Sequence, residues 1–205
     1  MGRRFEPDGA YFLTQMAACT QWKASNSKMI YPISTNRLSI SPLARADAKQ
    51  FSDYRSDPEI ARYQSWDTPY SEAQALALIE SQSGIELPPK GEWLQLAIHL
   101  RDSDAHIGDL ALHTLEDDGD FELGYTIAKA FQGQGYAKEA TATLIDFLIK
   151  NHGARRFIAT PDSRNLPSIK LLITLGFVQK PEKSWSEFFK GEDVTVDYFE
   201  LVHAQ

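Results

Sequence analysis

Residues Phe131 to Ala140, Phe-Gln-Gly-Gln-Gly-Tyr-Ala-Lys-Glu-Ala, lie between two segments of different period. Before them, Phe121 to Ala128 reads as a strand; after them, Thr141 to Lys150 reads as an amphipathic helix. A glycine-rich turn from a strand into a helix can hold an anion. Glycine lets the main chain come close, and the N–H groups of the first helical turn have no partner inside the helix. The helix dipole adds partial positive charge at the same end. The chemistry that suits this pattern is the binding of a phosphate-bearing ligand.

Two familiar phosphate motifs do not apply. No Gly-x-x-x-x-Gly-Lys-Ser/Thr run exists, and the residue three after Gly135 is Lys138, where a dinucleotide fingerprint needs glycine. What stands is Gln132-Gly133-Gln134-Gly135-Tyr136-Ala137 opening a helix, which taken alone also describes a tight turn. The run resembles the pyrophosphate loop of the GNAT superfamily of N-acetyltransferases, which grips coenzyme A and usually reads Arg/Gln-x-x-Gly-x-Gly/Ala. Gln132, Gly135 and Ala137 occupy those places. Downstream, Asn165-Leu-Pro-Ser168-Ile-Lys-Leu171, followed by Leu175-Gly176-Phe177, is similar to the second signature of the superfamily. Upstream, Thr35-Asn-Arg37-Leu-Ser-Ile-Ser41-Pro-Leu43 and Arg55-Ser-Asp-Pro-Glu-Ile-Ala-Arg-Tyr63 resemble two segments of the RimJ/RimL-like branch. Ser41 departs from that branch, which has arginine there. The four segments occur in the family's order and span about residues 35 to 202.

The resemblance implies an α/β protein of the GNAT fold. Its mixed central sheet would have about six to seven strands flanked by helices, with a splayed strand pair at the cofactor site. It implies acetyl-CoA as cosubstrate and direct acetyl transfer to a primary amine. Main-chain atoms of Thr126 and Ile127 would hydrogen-bond the pantetheine arm, and Asn165 would face the cofactor. The amides of Gln132, Gly133, Gln134, Gly135, Tyr136, Ala137 and Lys138 would hold the phosphates. Gln132 stands where many relatives carry arginine, which removes one charge from the phosphate site; Lys138 could supply one or be a solvated helix lysine. The acceptor implied by the branch is a protein N-terminal α-amine. A small amine (polyamine, amino acid or aminoglycoside) is the alternative, and a non-catalytic CoA-binding regulator is the rival from another class. Either a monomer or a homodimer is compatible.

Acyl transfer to an amine needs a group to take the amine proton, donors for the oxyanion, and a proton for the departing thiolate. Glu122, on the strand before the loop, is the candidate base; its other reading is a structural ion-pair partner. Ser168, matched through the resemblance, is the candidate thiolate acid; its other reading is a helix cap. Tyr125 and Tyr136 lie near the cofactor along the chain, and Tyr136 reads as a packing residue. His99, His106 and His113 show no ligand spacing, and His152 and His203 lie apart, so all five read as structural or exposed and no metal site is expected.

These groups need elements to hold them. Arg37 to Ser41 alternates as a first strand, with Leu38 and Ile40 inward. Residues 45–54 and 58–63 read as helices, with Pro58 at a helix-opening position. Ser71 caps a helix over 71–80, with Gln74 at the capping-box position. Strands are expected over Trp93–Leu100, Ile107–Thr114, 121–128, 156–160, 177–180 and 194–202. In the helix after the loop, Ala137, Ala140, Leu144 and Leu148 share one face and pack it down. A further helix covers about 166–175, with Gly176 as its C-cap.

The 205 residues suit one domain at 35–205, with residues 1–34 as an N-terminal extension that matches no family segment. A net charge of −7 argues against a nucleic-acid partner. Cys19 is the only cysteine, so no internal disulfide forms and a reducing cytoplasm fits. No apolar run is long enough to span a membrane, and residues 10–19 are interrupted by Thr14 and Gln15 and make a poor signal peptide.

Overall fold

The computed structural model describes residues 31–203; the expectations for residues 1–28 and for Cys19 lie outside them. A two-residue strand, β1 (Ile33–Ser34), pairs with the alternating run, now β2 (Leu38–Pro42), in which Leu38 and Ile40 are fully buried. Tyr31 and Ile33 already pack on the core, ahead of residue 35.

Three helices follow. A single 3₁₀ turn leads into α1 (Ala48–Arg55). Asp57 accepts the N–H of Glu59 and Pro58 opens α2 (Pro58–Ala61). Ser71 and Gln74 form the expected reciprocal capping box of α3 (Glu72–Ser81). The chain then builds a meander of β3 (Trp93–Leu100), β4 (His106–Thr114) and β5 (Asp120–Ile127). Beyond it come α4 (Tyr136–His152), β6 (Arg156–Ala159) and α5 (Leu166–Thr174), the last closed by Gly176 with φ +89°. The C-terminal part contributes β7 (Val178–Gln179), β8 (Trp185–Phe189), β9 (Glu192–Val196) and β10 (Phe199–Val202).

Eight strands form one mixed sheet in the order β1-β2-β3-β4-β5-β6-β10-β7, and β8 and β9 form a separate hairpin. The large sheet thus has eight strands where the sequence suggests six to seven, since the two-residue strands at either edge have no pattern long enough to read. The single strand expected over 194–202 divides. β9 pairs with β8, while β10 joins β6 and β7. Between them the Asp197 N–H bonds to the Pro161 carbonyl at 2.9 Å, which carries the chain from one sheet to the other. The break is invisible in the apolar run Val194-Thr-Val-Asp-Tyr-Phe199 because both halves alternate.

The sheet is buried on both faces. On one, Ala140, Leu144, Ile145 and Leu148 of α4 and Leu172 of α5 pack on Leu96, Leu110, Leu123 and Phe157. On the other, Ala48, Phe51 and Tyr54 of α1 meet Ala75 and Ile79 of α3 and Ala128. Each fully buried leucine contributes about 1.5–3 kcal/mol relative to exposure. That burial holds α4, and with it the glycine turn at its start, rigidly on the sheet.

Two irregularities matter. Among the described strands the one parallel pair, β5 and β6, is joined just over Asp120–Glu122 with Arg156–Ile158. Past that point β5 runs on to Ile127 with β4 alone beside it, which is the expected splay. The second is a register shift between Ile98 and His99, which sets His99 opposite His106. Both rings then stand beside Asp47 at the N-terminus of α1. Spacing along the chain shows no ligand pattern for these histidines; the fold assembles one from three separate elements.

Candidate active site

Gly133 and Gly135 both have left-handed backbones, with φ +75° and +81°. Gly135 is the N-cap of α4, and no side chain caps that end. The first-turn N–H groups are therefore left to a ligand. A Cβ built on Gly135 would meet only the Arg37 guanidinium, at 3.7 Å, an ordinary contact. The dihedral, and not crowding, is what requires glycine.

The opening motif of the chain holds this turn from outside. Arg37 donates to the Gln134 carbonyl at 3.1 Å, stacks over the Tyr136 ring at 4.5 Å and pairs with Glu139 at 2.5 Å. Thr35 donates to the other Glu139 oxygen. Burial would raise the Glu139 carboxyl, but the bonds from Thr35 and Arg37 outweigh it and hold the group below its usual range. A Thr-x-Arg motif about 100 residues away thus clamps the start of α4, and sequence reasoning assigned it no such role.

A cleft of about 560 Å³ opens between this turn and α5. Thr126 and Ile127 form its strand wall, and Gln132, Gly133, Gly135, Tyr136, Ala137 and Lys138 its loop wall. Asn165 and Ser168 close the opposite side. Gln134 is the one expected cofactor residue outside it, because its carbonyl faces Arg37 and its amide reaches Ala130. The Gln132 amide donates to the Ile127 carbonyl at 2.9 Å, tying the loop to the strand it leaves. Asn165 caps α5 by accepting the Ser168 N–H at 3.3 Å.

Ser168 is bonded rather than free. Its hydroxyl lies 2.8 Å from the Tyr125 hydroxyl, which also lies 3.1 Å from the Ser168 carbonyl. Burial pushes the Tyr125 phenol up to about 12, with the Ser168 bond opposing. The pair is two joined hydroxyls, and both residues line the cleft. The sequence placed Tyr125 near the cofactor without a partner; what it hides is that residue 125 on β5 faces the N-terminal turn of α5.

Glu122 lies on the other face of β5 from Tyr125, as the strand's alternation requires. It accepts from Thr160 Oγ1 at 2.8 Å and sits 3.3 Å from His113 Nδ1, whose ring stacks on Trp93 at 4.6 Å. It does not line the cleft. Thr126, which does, shares its face four residues on, about 13 Å along the strand. Both readings of Glu122 thus have a physical basis: a held carboxylate below the cleft, and a member of a strand-to-strand polar network.

The rim opposite the loop comes from α2 and its surroundings. Glu59, Tyr63 and Arg164 line it; Glu59 pairs with Lys129, and Arg164 with Asp162 and Glu192. Below it, Arg55 is buried between the rings of Phe51 and Trp66, 3.9 Å from each. It bonds Asp109 at 3.3 Å, and Tyr54 donates to the same carboxylate at 2.6 Å. Asp109 is the strand partner of Thr126, so the Arg55 motif braces the cleft wall from behind.

A mixed sheet parted beside an uncapped helix N-terminus, with a hydroxyl pair on the cleft wall, is an α/β frame whose cleft suits a phosphate-bearing ligand. Residues 37–178 match the acetyltransferase (GNAT) domain, and the chain belongs to the GNAT family of acetyltransferases. It is 30% identical over 170 residues to an uncharacterized N-acetyltransferase, p20, of Bacillus licheniformis, covering 82% of this chain and 94% of that protein. Its fold is similar to that of spermidine N-acetyltransferase from Vibrio cholerae in complex with CoA and spermine. There the TM-score is 0.70 at 18% identity, over 82% of this chain and 96% of that one. It is also similar to ribosomal-protein-S5-alanine acetyltransferase from Vibrio fischeri, with a TM-score of 0.65 at 18% identity, over 82% and 94% of the two chains.

Proposed function

We propose that this acetyltransferase moves an acetyl group from acetyl-CoA directly to a primary amine, and that a protein N-terminal α-amine is the acceptor. The observation that carries the reading is the cleft itself. One continuous hollow joins the uncapped start of α4, the open side of β5 and the Tyr125–Ser168 pair. Its walls suit acetyl-CoA: N–H donors for the phosphates at one end, and main chain without a strand partner for the amide-bearing arm along β5. Acetyl-CoA supplies an activated thioester; the rest falls to the protein.

The chain's own groups then have distinct tasks. The first turn of α4, kept in place by the Arg37 clamp, binds and orients the donor. Ser168 delivers a proton to the departing sulfur and is re-supplied by Tyr125 at 2.8 Å. Glu122, steadied by Thr160 and His113, takes the amine proton through intervening water, given its place below the cleft. The lone cysteine lies outside the family-matched residues, so no acyl-enzyme is invoked.

The α-amine reading draws on the RimJ/RimL-like segments and on the likeness to the ribosomal-protein enzyme. The likeness to the spermidine enzyme supports the small-amine reading, with a polyamine, amino acid or aminoglycoside as acceptor. Thiol release from acetyl-CoA, followed across a panel of N-terminal peptides and small amines, decides among them. Turnover with peptides and not with polyamines is the expected result. CoA binding without turnover on any acceptor would make the protein a CoA-binding regulator.

A further inference from the structure

We propose that Asp47, His99 and His106 form a binding site for one divalent transition-metal ion, with zinc as the best fit. The site is separate from the cleft, which none of the three residues lines. Asp47 Oδ1 lies 2.8 Å from His99 Nε2 and 3.8 Å from His106 Nδ1, and all three atoms lie within 4.8 Å of one another. Zinc binds imidazole nitrogen and carboxylate oxygen at about 2.0–2.2 Å, so small ring rotations bring these atoms around one ion. Two nitrogens and one oxygen form a borderline donor set, which favours zinc over the hard, all-oxygen cations.

The second observation is an orphaned atom. His106 Nδ1 is buried and has no hydrogen-bond partner among the described residues, in a residue only 7% exposed. The other ring nitrogen, Nε2, lies 2.9 Å from the Gly108 carbonyl, which can only accept. Nε2 therefore carries the proton, and Nδ1 of the neutral ring carries a lone pair. That lone pair lies 3.8 Å from Asp47 Oδ1, and a cation between these two acceptors would satisfy both in their buried space.

Each ligand is also oriented from behind, as metal ligands are. Gly108 fixes the tautomer of His106. The Ala44 N–H holds Asp47 Oδ2 at 2.8 Å and leaves Oδ1 to the site. The register shift at Ile98 and His99 turns the His99 ring onto Asp47, the kind of re-aiming that a bulge achieves. His99 is the most exposed of the three at 15% and provides the entry path and the open coordination position for water. On binding, a neutral His99 moves its proton from Nε2 to Nδ1, whereas a protonated His99 releases the Nε2 proton to solvent; in both cases the ring ends neutral and the Nε2 lone pair takes up the metal. The ion would tie the start of α1 to the β3–β4 hairpin, 52 residues on from Asp47 at His99.

The test uses the full chain, stripped with chelator and dialysed against zinc chloride, with metal content measured by mass spectrometry. The expected result is one zinc per chain and a raised melting temperature. Cobalt(II) should give the visible absorption of a low-coordinate nitrogen–oxygen site. Asp47→Asn and His106→Gln should each weaken zinc binding at least about tenfold. Cys19→Ser and His203→Gln should leave it unchanged. Should His106→Gln fail to fold, Asp47→Asn, which keeps the side chain's shape, gives the answer through loss of the cobalt spectrum. Weak binding of several ions, no binding, or binding that Asp47→Asn does not alter would overturn the proposal.

Discussion

The hydroxyl pair of Tyr125 and Ser168 and the carboxylate of Glu122 occupy opposite faces of one strand, so their contributions separate by mutation. Glu122→Gln should lower kcat by about 10²–10⁴-fold with little change in CoA affinity. A near-parental kcat would leave Glu122 a strand-to-strand bond acceptor and assign proton removal to water. Ser168→Ala should be milder, about tenfold, because water can protonate a thiolate. Tyr125→Phe should resemble Ser168→Ala, and the double variant should add little to either, as expected of two links in one relay. Because burial raises the Tyr125 phenol to about 12, its own ionisation should leave no alkaline limb below that range. At this scale the sequence was legible where a residue's conformation follows from the turn it sits in, as for Gly135, but the cap of α5 is Asn165 where the sequence offered Ser168. It was silent where the role depends on a partner from another element. Nothing in the spacing of residues 125 and 168 announces a 2.8 Å contact, and nothing near Glu122 announces Thr160 and His113.

Elements position the site through two braces, and each brace has its test. The glycine turn depends on a left-handed N-cap at Gly135. Gly135→Val places a β-branched residue there at a cost on the order of 1–3 kcal/mol. That should weaken CoA binding roughly tenfold or more by calorimetry; parental affinity would move the phosphate site elsewhere. The second brace is the buried Arg55–Asp109 pair. Arg55→Ala leaves the Asp109 carboxylate buried with only Tyr54 donating to it, and should cost about 3–5 kcal/mol in denaturant unfolding. Strands and helices with a clean period, such as Trp93–Leu100 and the α3 capping box, were readable to within a residue. The β8–β9 hairpin was not, since Trp-Ser-Glu-Phe-Phe does not alternate and most of it is exposed.

At the largest scale, the described residues form one large sheet with helices on both faces and a separate β8–β9 hairpin, and β1 and β2 are part of that frame. We expect a chain that starts at Met29 to keep Tyr31, Ile33 and the Arg37 clamp, and so to melt cooperatively and respond to CoA as the full chain does. A large fall in melting temperature would show that residues 1–28 contribute to the domain. Family membership was legible because four short segments recur in order; the acceptor was not, because the charged rim residues Glu59 and Arg164 are paired within the protein, to Lys129 and to Asp162 and Glu192, and spell no ligand. The parting of β5 from β6 carries one more consequence. Unpaired main chain along a strand invites pairing with another molecule, and proteins ordinarily blunt such edges with charge or cover. Here the edge lies inside the sheet, along a segment, Leu123-Gly-Tyr-Thr-Ile127, with no charge to guard it. A donor molecule lying there would act as a solubility guard as well as a reactant. Heated near its melting point, the protein should scatter light later and less with saturating CoA than with an equal concentration of ATP, which shares the phosphates but lacks the amide-bearing arm.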